Sequence, residues 1–234
     1  MLSSSRKRFK SIIKQYHTKE NMVQVIPAIL TDHLQIYREQ VQDISSFSEQ
    51  IQIDIEDGSF VPGTTVLPSD MDEGDGYEAH LMTDYPSTYF ETLSKKGFTK
   101  VIYHHEAKTK EDILRKANQY SLELVIAINP ETSITEVPLT DFNTVLLLGV
   151  TPGKQGQTFQ KKIYDKIQTI HNTTIQVDGG VKPEQAYNLG KKGVTKINVG
   201  SYITEAENKK RAYNKVKKEL KRGHKRWKQK NNSS

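Results

Sequence analysis

The sequence of 234 residues has no cysteine, one tryptophan and no long apolar run. Without cysteine there can be no disulfide, thiolate metal ligand or cysteine nucleophile. No apolar stretch approaches the roughly 20 residues of a membrane-spanning helix. Residues 1–8 are polar and basic, and they lack the apolar core of a secretion signal. These absences lead us to expect a cytoplasmic protein with no membrane span.

The net charge of +6 is distributed unevenly. Residues 209–230 hold 12 lysines and arginines against Glu219, and residues 1–22 hold six against Glu20. These ends carry +11 and +5, which leaves −10 for the body between them. We therefore divide the chain into a basic extension at 1–22, a globular domain at 23–208 and a basic helix or tail at 209–234. The tail is a candidate for contact with nucleic acid or with an anionic membrane, and a solvated, frayed helix is the favoured interpretation.

Eight short apolar segments alternate with helical patterns. The strands are predicted at 23–30, 50–55, 77–82, 100–104, 122–128, 144–150, 174–177 and 196–200. Such alternation predicts a parallel sheet, and eight units in about 200 residues suit a closed (β/α)8 TIM barrel. A doubly wound open sheet is the alternative. Residues 63–76 are too interrupted by glycine and proline for a good helix, so a loop is predicted where the second helix would lie.

The second strand ends in a cluster of acids, with Asp54, Glu56 and Asp57 followed by Gly58. Because side chains alternate along a strand, Gln52, Asp54 and Glu56 share one face. Carboxylates at the end of a buried strand are costly unless they find partners, bind a metal or do chemistry. This segment is therefore the first candidate for an active site.

Glycines follow the last three strands, where barrel enzymes commonly bind phosphate through backbone N–H groups. Each glycine alone is more typical of a turn, but three such loops in succession predict a phosphate-binding barrel. The candidate residues are Gly153, Gly156, Gly179, Gly180, Gly200 and Ser201.

Several of these motifs occur in a characteristic order, and the sequence resembles the ribulose-phosphate 3-epimerase family, as a divergent member. The resemblance covers about residues 23–205. It rests on the segments 26–30, 54–62, 80–82, 151–159, 177–181 and 199–201.

The resemblance implies epimerisation at C3 of a ketose phosphate, which would interconvert ribulose 5-phosphate and xylulose 5-phosphate. It implies Asp54 and Asp178 as the acid and base, and Asp54, His80 and Asp178 as ligands of a divalent Zn, Mn, Fe or Co ion. Met82 and Gln157, with the glycine loops, are the implied substrate contacts. The sugar phosphate is the implied partner, and a homo-oligomer is a further expectation.

The sequence departs from the family pattern at several positions. Gln52 replaces a histidine ligand, Ala28 replaces a serine, and Glu56 and Leu148 replace methionines. Gln52 or Glu56 is a further candidate metal ligand. These departures also suggest an alternative, a metal-free, non-catalytic paralogue that binds a sugar phosphate or a macromolecule.

Two further patterns are less informative. A decarboxylase on the related barrel would carry an Asp-x-Lys-x-x-Asp strand, and neither 52–57 nor 78–84 contains a lysine. His104 and His105 are adjacent, so they point to opposite faces of a strand and cannot easily share one ion. A rim or core role is predicted for one of them.

Overall fold

The computed structural model describes residues 23–109, 112–153 and 157–232, so the extension at 1–22 and Gly156 lie outside the described residues. The eight strands pair in chain order, all in parallel, and the last pairs with the first to close a barrel. They are β1 (Gln24–Ile29), β2 (Ile51–Glu56), β3 (Tyr77–Met82), β4 (Lys100–His104), β5 (Glu123–Ile128), β6 (Thr144–Leu148), β7 (Thr174–Asp178) and β8 (Lys196–Val199). The predicted TIM barrel is confirmed.

Helices surround the barrel. They are α1 (Leu34–Ser45), α2 (Phe90–Lys95), α3 (Ile113–Gln119), α4 (Ile163–Thr169), α5 (Pro183–Gly190), α6 (Ser201–Thr204) and α7 (Lys209–Asn231). Short 3-10 turns occupy Pro86–Tyr89, Ile134–Glu136 and Leu139–Asp141. Within the part of the chain that the structure describes, no helix is long and apolar enough to cross a membrane.

The connection between β2 and β3 contains no helix, as the sequence predicts. It folds back on β2, where the Thr65 hydroxyl donates to the Asp54 carbonyl and accepts from the Glu56 amide. Val66 and Met71 of this loop are buried in the main apolar core. Thus two apolar side chains and local hydrogen bonds take the place of a helix.

The barrel interior is divided into an apolar and a polar half. Strand alternation sends one set of side chains outward to the helices and the other set inward. The apolar inner cluster comes from β4, β5 and β6 and consists of Ile102, Val125, Ala127, Leu146 and Leu148. On β2, β3, β7 and β8 the buried residues include Gln52, Asp54, Glu78, His80, Gln176, Asp178 and Asn198. Burial of so many polar groups demands a hydrogen-bond network.

Helix α7 packs on the barrel through one face. Tyr213, Val216 and Leu220 are buried, as are Gly223 and His224. The interpretation of this segment as a solvated, frayed helix is therefore wrong for its inner face. The basic residues lie mainly on the opposite, exposed face.

Candidate active site

The site is built from the carboxyl ends of β2, β3 and β7. Asp54 and His80 are register partners on adjacent strands, which places His80 Nδ1 2.9 Å from Asp54 Oδ1. Asp178 ends β7, and its Oδ2 lies 3.7 Å from the same imidazole nitrogen. One ligand-type atom from each of these three residues lies within 4.8 Å of the others. All three side chains are buried, so their charges interact strongly.

Burial and neighbouring charge shift the proton affinities of the site. Burial raises the pKa of Asp178 to about 6, and the negative charge of Asp54 also raises it. The charge of His80 and the hydrogen bonds from Gln52 and the Gly179 amide lower this pKa but do not outweigh burial. Burial alone would lower the pKa of His80, but the hydrogen bond and charge of Asp54, with the charge of Asp178, raise it. Asp178 can thus hold a proton near neutral pH, which suits acid and base chemistry.

Gln52 lies beneath the two carboxylates and joins them. Its Nε2 donates to Asp54 Oδ1 at 2.8 Å and to Asp178 Oδ2 at 2.6 Å. Its oxygen, Oε1, accepts from Asn198 Nδ2 at 2.5 Å. The amide therefore presents hydrogens, not a lone pair, to the centre of the site.

A chain of amides holds Gln52 in this orientation. Gln176 Nε2 donates to Asn198 Oδ1 at 2.8 Å, and Asn198 Nδ2 in turn donates to Gln52 Oε1. Both Gln176 and Asn198 also donate to Glu78 Oε1, at 2.7 Å each. The ammonium of Lys100 lies 3.5 Å from the other Glu78 oxygen. Because a carboxylate accepts only, Glu78 sets the direction of the whole chain.

The donor set fits a divalent metal through three residues. Asp54, His80 and Asp178 bring two carboxylates and one imidazole together, which are common ligands of Zn and Mn. Gln52, the candidate further ligand, turns its N–H groups toward the carboxylates. Glu56 lies outside the three-residue group, lines the cavity above it and has a buried Oε1 without a hydrogen-bond partner. Burial, followed by the charge of Asp54, raises the pKa of Glu56.

A cavity of about 270 Å³ opens above the three residues. Positive φ angles at Gly179 and Gly180, +91° and +68°, let the backbone turn there. A side chain at Gly180 would press on the Phe159 amide and the Gln157 carbonyl. Every predicted substrate residue within the described chain lines this cavity: Met82, Gly153, Gln157, Gly179, Gly180, Gly200 and Ser201. Gly156 lies outside the described residues.

Sequence reasoning missed three groups at the site. Lys182, after the second glycine loop, lines the cavity and adds a cation to it. Asn198 orients Gln52, and its inward position on β8 was the only available signal. The sequence predicts a rim or core role for one of the two adjacent histidines, and His104 is the buried one; its contact with the site, 3.0 Å between its Nε2 and Nε2 of His80, had no sequence signal. His105, its neighbour, is only half-buried.

A closed parallel barrel with acids at the carboxyl ends of its strands defines a TIM-barrel enzyme. The chain matches the model of the "Ribulose-phosphate 3 epimerase family" over residues 24–204 and belongs to that family. It is 26% identical to a ribulose-phosphate 3-epimerase of Bacillus subtilis, over 84% of this chain and 99% of that protein. It is 29% identical to one of Chlamydia trachomatis, over 81% and 89%. The chain is an epimerase-like enzyme.

Solved structures support the fold. The 3-hexulose-6-phosphate synthase of Salmonella typhimurium superposes with a TM-score of 0.65 and 12% identity, over 86% of this chain and all of that one. A tryptophan synthase chain of M. tuberculosis superposes with a TM-score of 0.61 and 10% identity, over 86% and 93%. At such identities the likeness concerns the barrel alone.

Proposed function

We propose that this enzyme epimerises C3 of a ketose phosphate and interconverts ribulose 5-phosphate and xylulose 5-phosphate. The observation that carries the proposal is the pair of carboxylates, Asp54 and Asp178, held on either side of the Gln52 amide at the base of the cavity. One carboxylate removes the C3 proton from one face of the sugar. The other, in its protonated form, returns a proton to the opposite face, and the roles exchange in the reverse direction.

A divalent metal would be held by Asp54, His80 and Asp178. When bound, such an ion supplies a Lewis acid that stabilises the negative charge of the enediolate formed by loss of the C3 proton. Zn, Mn, Fe and Co all accept this ligand set. Gln52 donates to both aspartates and so limits where their oxygens can move. The alternative of a metal-free, non-catalytic paralogue has no support in the site, because the three ligand-type residues remain together.

The phosphate group would lie at the far end of the cavity, against Gly180, Gly200 and Ser201. Glycine loops line the cavity there and would offer backbone N–H groups to a phosphate, and Lys182 contributes a positive charge. Glu56, with its unpartnered buried oxygen, faces the same cavity and is placed to bind a sugar hydroxyl. The cavity thus combines an anion site with a polar wall suited to a phosphorylated sugar.

Proton exchange tests the chemistry directly. The purified protein is incubated with ribulose 5-phosphate in heavy water after chelation, alone and with added Mn, Zn, Fe or Co, and deuterium at C3 is followed by NMR. We expect exchange with at least one metal, and its loss in Asp54→Asn and Asp178→Asn. Asp165→Asn, an exposed aspartate on α4, is the control. No deuterium at C3 under any of these conditions would refute the proposal.

The phosphate position has its own test in Ser201→Asp. A carboxylate at this position should repel the substrate phosphate and raise KM by about tenfold or more, because like charges in contact cost at least ~1.4 kcal/mol. Inhibition by inorganic phosphate should weaken in parallel. Ser133→Asp, at an exposed helix cap away from the cavity, is the control. Unchanged KM and unchanged phosphate inhibition would mean that the phosphate binds elsewhere.

A further inference from the structure

His104 is a buried histidine that lies outside the three-residue group and outside the cavity lining. It ends β4, next to β3, and its ring stacks on that of His80 with centroids 5.1 Å apart. The two Nε2 atoms are 3.0 Å apart, so one must donate and the other accept. Which one donates decides which nitrogen of His80 keeps its hydrogen when a metal takes the place of the hydrogen that Nδ1 shares with Asp54 Oδ1.

The surroundings of His104 settle the direction. Its Nδ1 faces two oxygens, Asn129 Oδ1 at 3.1 Å and Glu106 Oε2 at 3.5 Å. A nitrogen between acceptors carries the hydrogen, so the single N–H of a neutral His104 is at Nδ1. Its Nε2 is then an acceptor, and His80 Nε2 must donate to it.

Glu106 is the fixed end of this chain. Its Oε1 accepts from the Asn129 backbone amide at 3.0 Å and from the Thr132 hydroxyl. Burial opposes its ionisation, but these bonds and the contact with His104 outweigh burial and hold the pKa of Glu106 at about 2. Its Oε2 is buried, makes no hydrogen bond and lies 3.5 Å from His104 Nδ1. The charge of Lys166 also interacts with Glu106.

We propose that Glu106 and His104 are positioning residues that force the Nε2–H form of His80 and so leave its Nδ1 lone pair for the metal. The inference rests on the proposed function, because it takes His80 as a ligand. Metal-bound histidines commonly donate their second N–H to a fixed acceptor, and loss of that partner typically weakens metal binding about 10- to 100-fold. Here the acceptor is a second histidine, polarised in turn by a carboxylate.

Glu106→Gln offers a sharp test. The new side-chain oxygen stays with the Asn129 amide and Thr132, so the NH2 group faces His104 Nδ1. That contact competes with Asn129 Oδ1 and weakens the preference for hydrogen on His104 Nδ1. A hydrogen on His104 Nε2 makes His80 Nε2 an acceptor and places the His80 hydrogen on Nδ1. We expect Co²⁺ affinity, titrated by its visible absorption, to fall about 10- to 100-fold. Glu136→Gln, at an exposed glutamate in the connection after β5, is the control.

His104 itself is tested by a pair of substitutions. His104→Phe keeps a ring but removes both nitrogens and should weaken Co²⁺ binding, whereas His104→Gln can still accept from His80 and should restore most of it. His105→Gln, at the half-buried neighbour, should change nothing. Ring ¹H–¹⁵N spectra of the Zn-loaded protein show directly which nitrogen of His80 carries the hydrogen. If the role of His104 were merely structural, its substitution would not change that position.

The outcomes separate the two proposals. If the wild type binds Co²⁺ and exchanges C3 hydrogen, but folded Glu106→Gln binds Co²⁺ equally well with an unchanged His80 spectrum, the positioning role is overturned and the epimerase stands. Glu106→Gln keeps the hydrogen bonds that Oε1 accepts from the Asn129 amide and Thr132. It therefore tests the positioning role even if His104→Phe does not fold. A wild type that exchanges C3 hydrogen yet binds no metal overturns the positioning role and the metal part of the function together.

Discussion

At the scale of single residues, Gln52 determines how this site differs from the family pattern. A glutamine can ligate a metal only through its oxygen, and here that oxygen is bound to Asn198. Reversing the amide would set its NH2 against the Asn198 donor and its oxygen against two carboxylates. Such a reversal loses three hydrogen bonds in a buried place, where each unsatisfied group costs about 1–3 kcal/mol. Gln52 is therefore a hydrogen-bond donor in this arrangement.

Gln52→His should increase metal affinity. Imidazole replaces two N–H groups with one nitrogen lone pair at the same inward position of β2, which adds a ligand to the three present. We expect binding of Mn²⁺ or Zn²⁺ to tighten by at least about tenfold, or ~1.4 kcal/mol. Calorimetric titration of the chelated protein with each metal measures the change in affinity.

Gln35→His, an exposed position on α1, controls for nonspecific binding to a new histidine. Unchanged affinity in Gln52→His would show that the fourth position is not open to a ligand. It would also restrict the role of Gln52 to holding the two aspartates.

At the scale of elements, the contact between α5 and α7 depends on two glycines. A Cβ on Gly223 would collide with the Tyr187 carbonyl, and one on Gly190 would collide with the Leu220 carbonyl. The absence of side chains lets the two helices approach closely while Val216 and Leu220 fill the space beside the barrel. This close approach binds the basic helix to the domain.

Gly223→Ala should therefore destabilise the protein although alanine favours helices. Overpacking commonly costs about 1–3 kcal/mol, and the gain in helix propensity, about 1 kcal/mol, offsets only part of it. For a chain of this length we expect Tm to fall by a few degrees, at about 2–4 °C per kcal/mol. Asn214→Ala, exposed on the same helix, is the control. A rise in Tm for Gly223→Ala would show that the helices can separate without loss.

At the scale of the whole molecule, charge is divided between an acidic body and the exposed face of α7. Ten lysines and arginines on that face are exposed: Lys210, Arg211, Lys215, Lys217, Lys218, Lys221, Arg222, Lys225, Arg226 and Lys230. They extend over about 30 Å, at 1.5 Å per residue. The helix buries its apolar face against the barrel, so insertion of that face into a membrane would require it to detach.

We expect this face to bind single-stranded RNA weakly and in a salt-dependent manner. Truncation at 209 would remove buried Val216 and Leu220, so charge substitutions are the better test. Lys210, Lys218 and Lys221, changed together to glutamine, should reduce the slope of log affinity against log salt by up to about 2, or ~0.7 per phosphate contact. Fluorescence anisotropy with a labelled 20-nucleotide RNA measures it.

The matched control changes three exposed lysines of the body, Lys95, Lys108 and Lys161, to glutamine. Equal slopes for the two triple variants would show that no nucleic acid binds to α7 in particular. Epimerase activity should be the same in both variants, because neither set lines the cavity.

The sequence alone determined the eight strands, the loop in place of a second helix and the residues at the carboxyl ends. Strand alternation is a local rule, so it placed Gln52, Asp54 and Glu56 on one face without a structure. Chain order and the position of the glycines then predicted which loops form the cavity. These features depend on neighbours in the chain, and the barrel follows from their number and alternation.

Tertiary structure decided what depends on residues far apart in the chain. Asn198 lies 146 positions from Gln52, yet it turns the Gln52 oxygen away from the site. His104 reaches His80 because β3 and β4 pair in a register that no local pattern specifies. The inner face of α7 was likewise hidden, since its burial requires α5 as a partner. Hydrogen-bond direction and close packing depend on the partner, and only closure of the barrel brings the partners together.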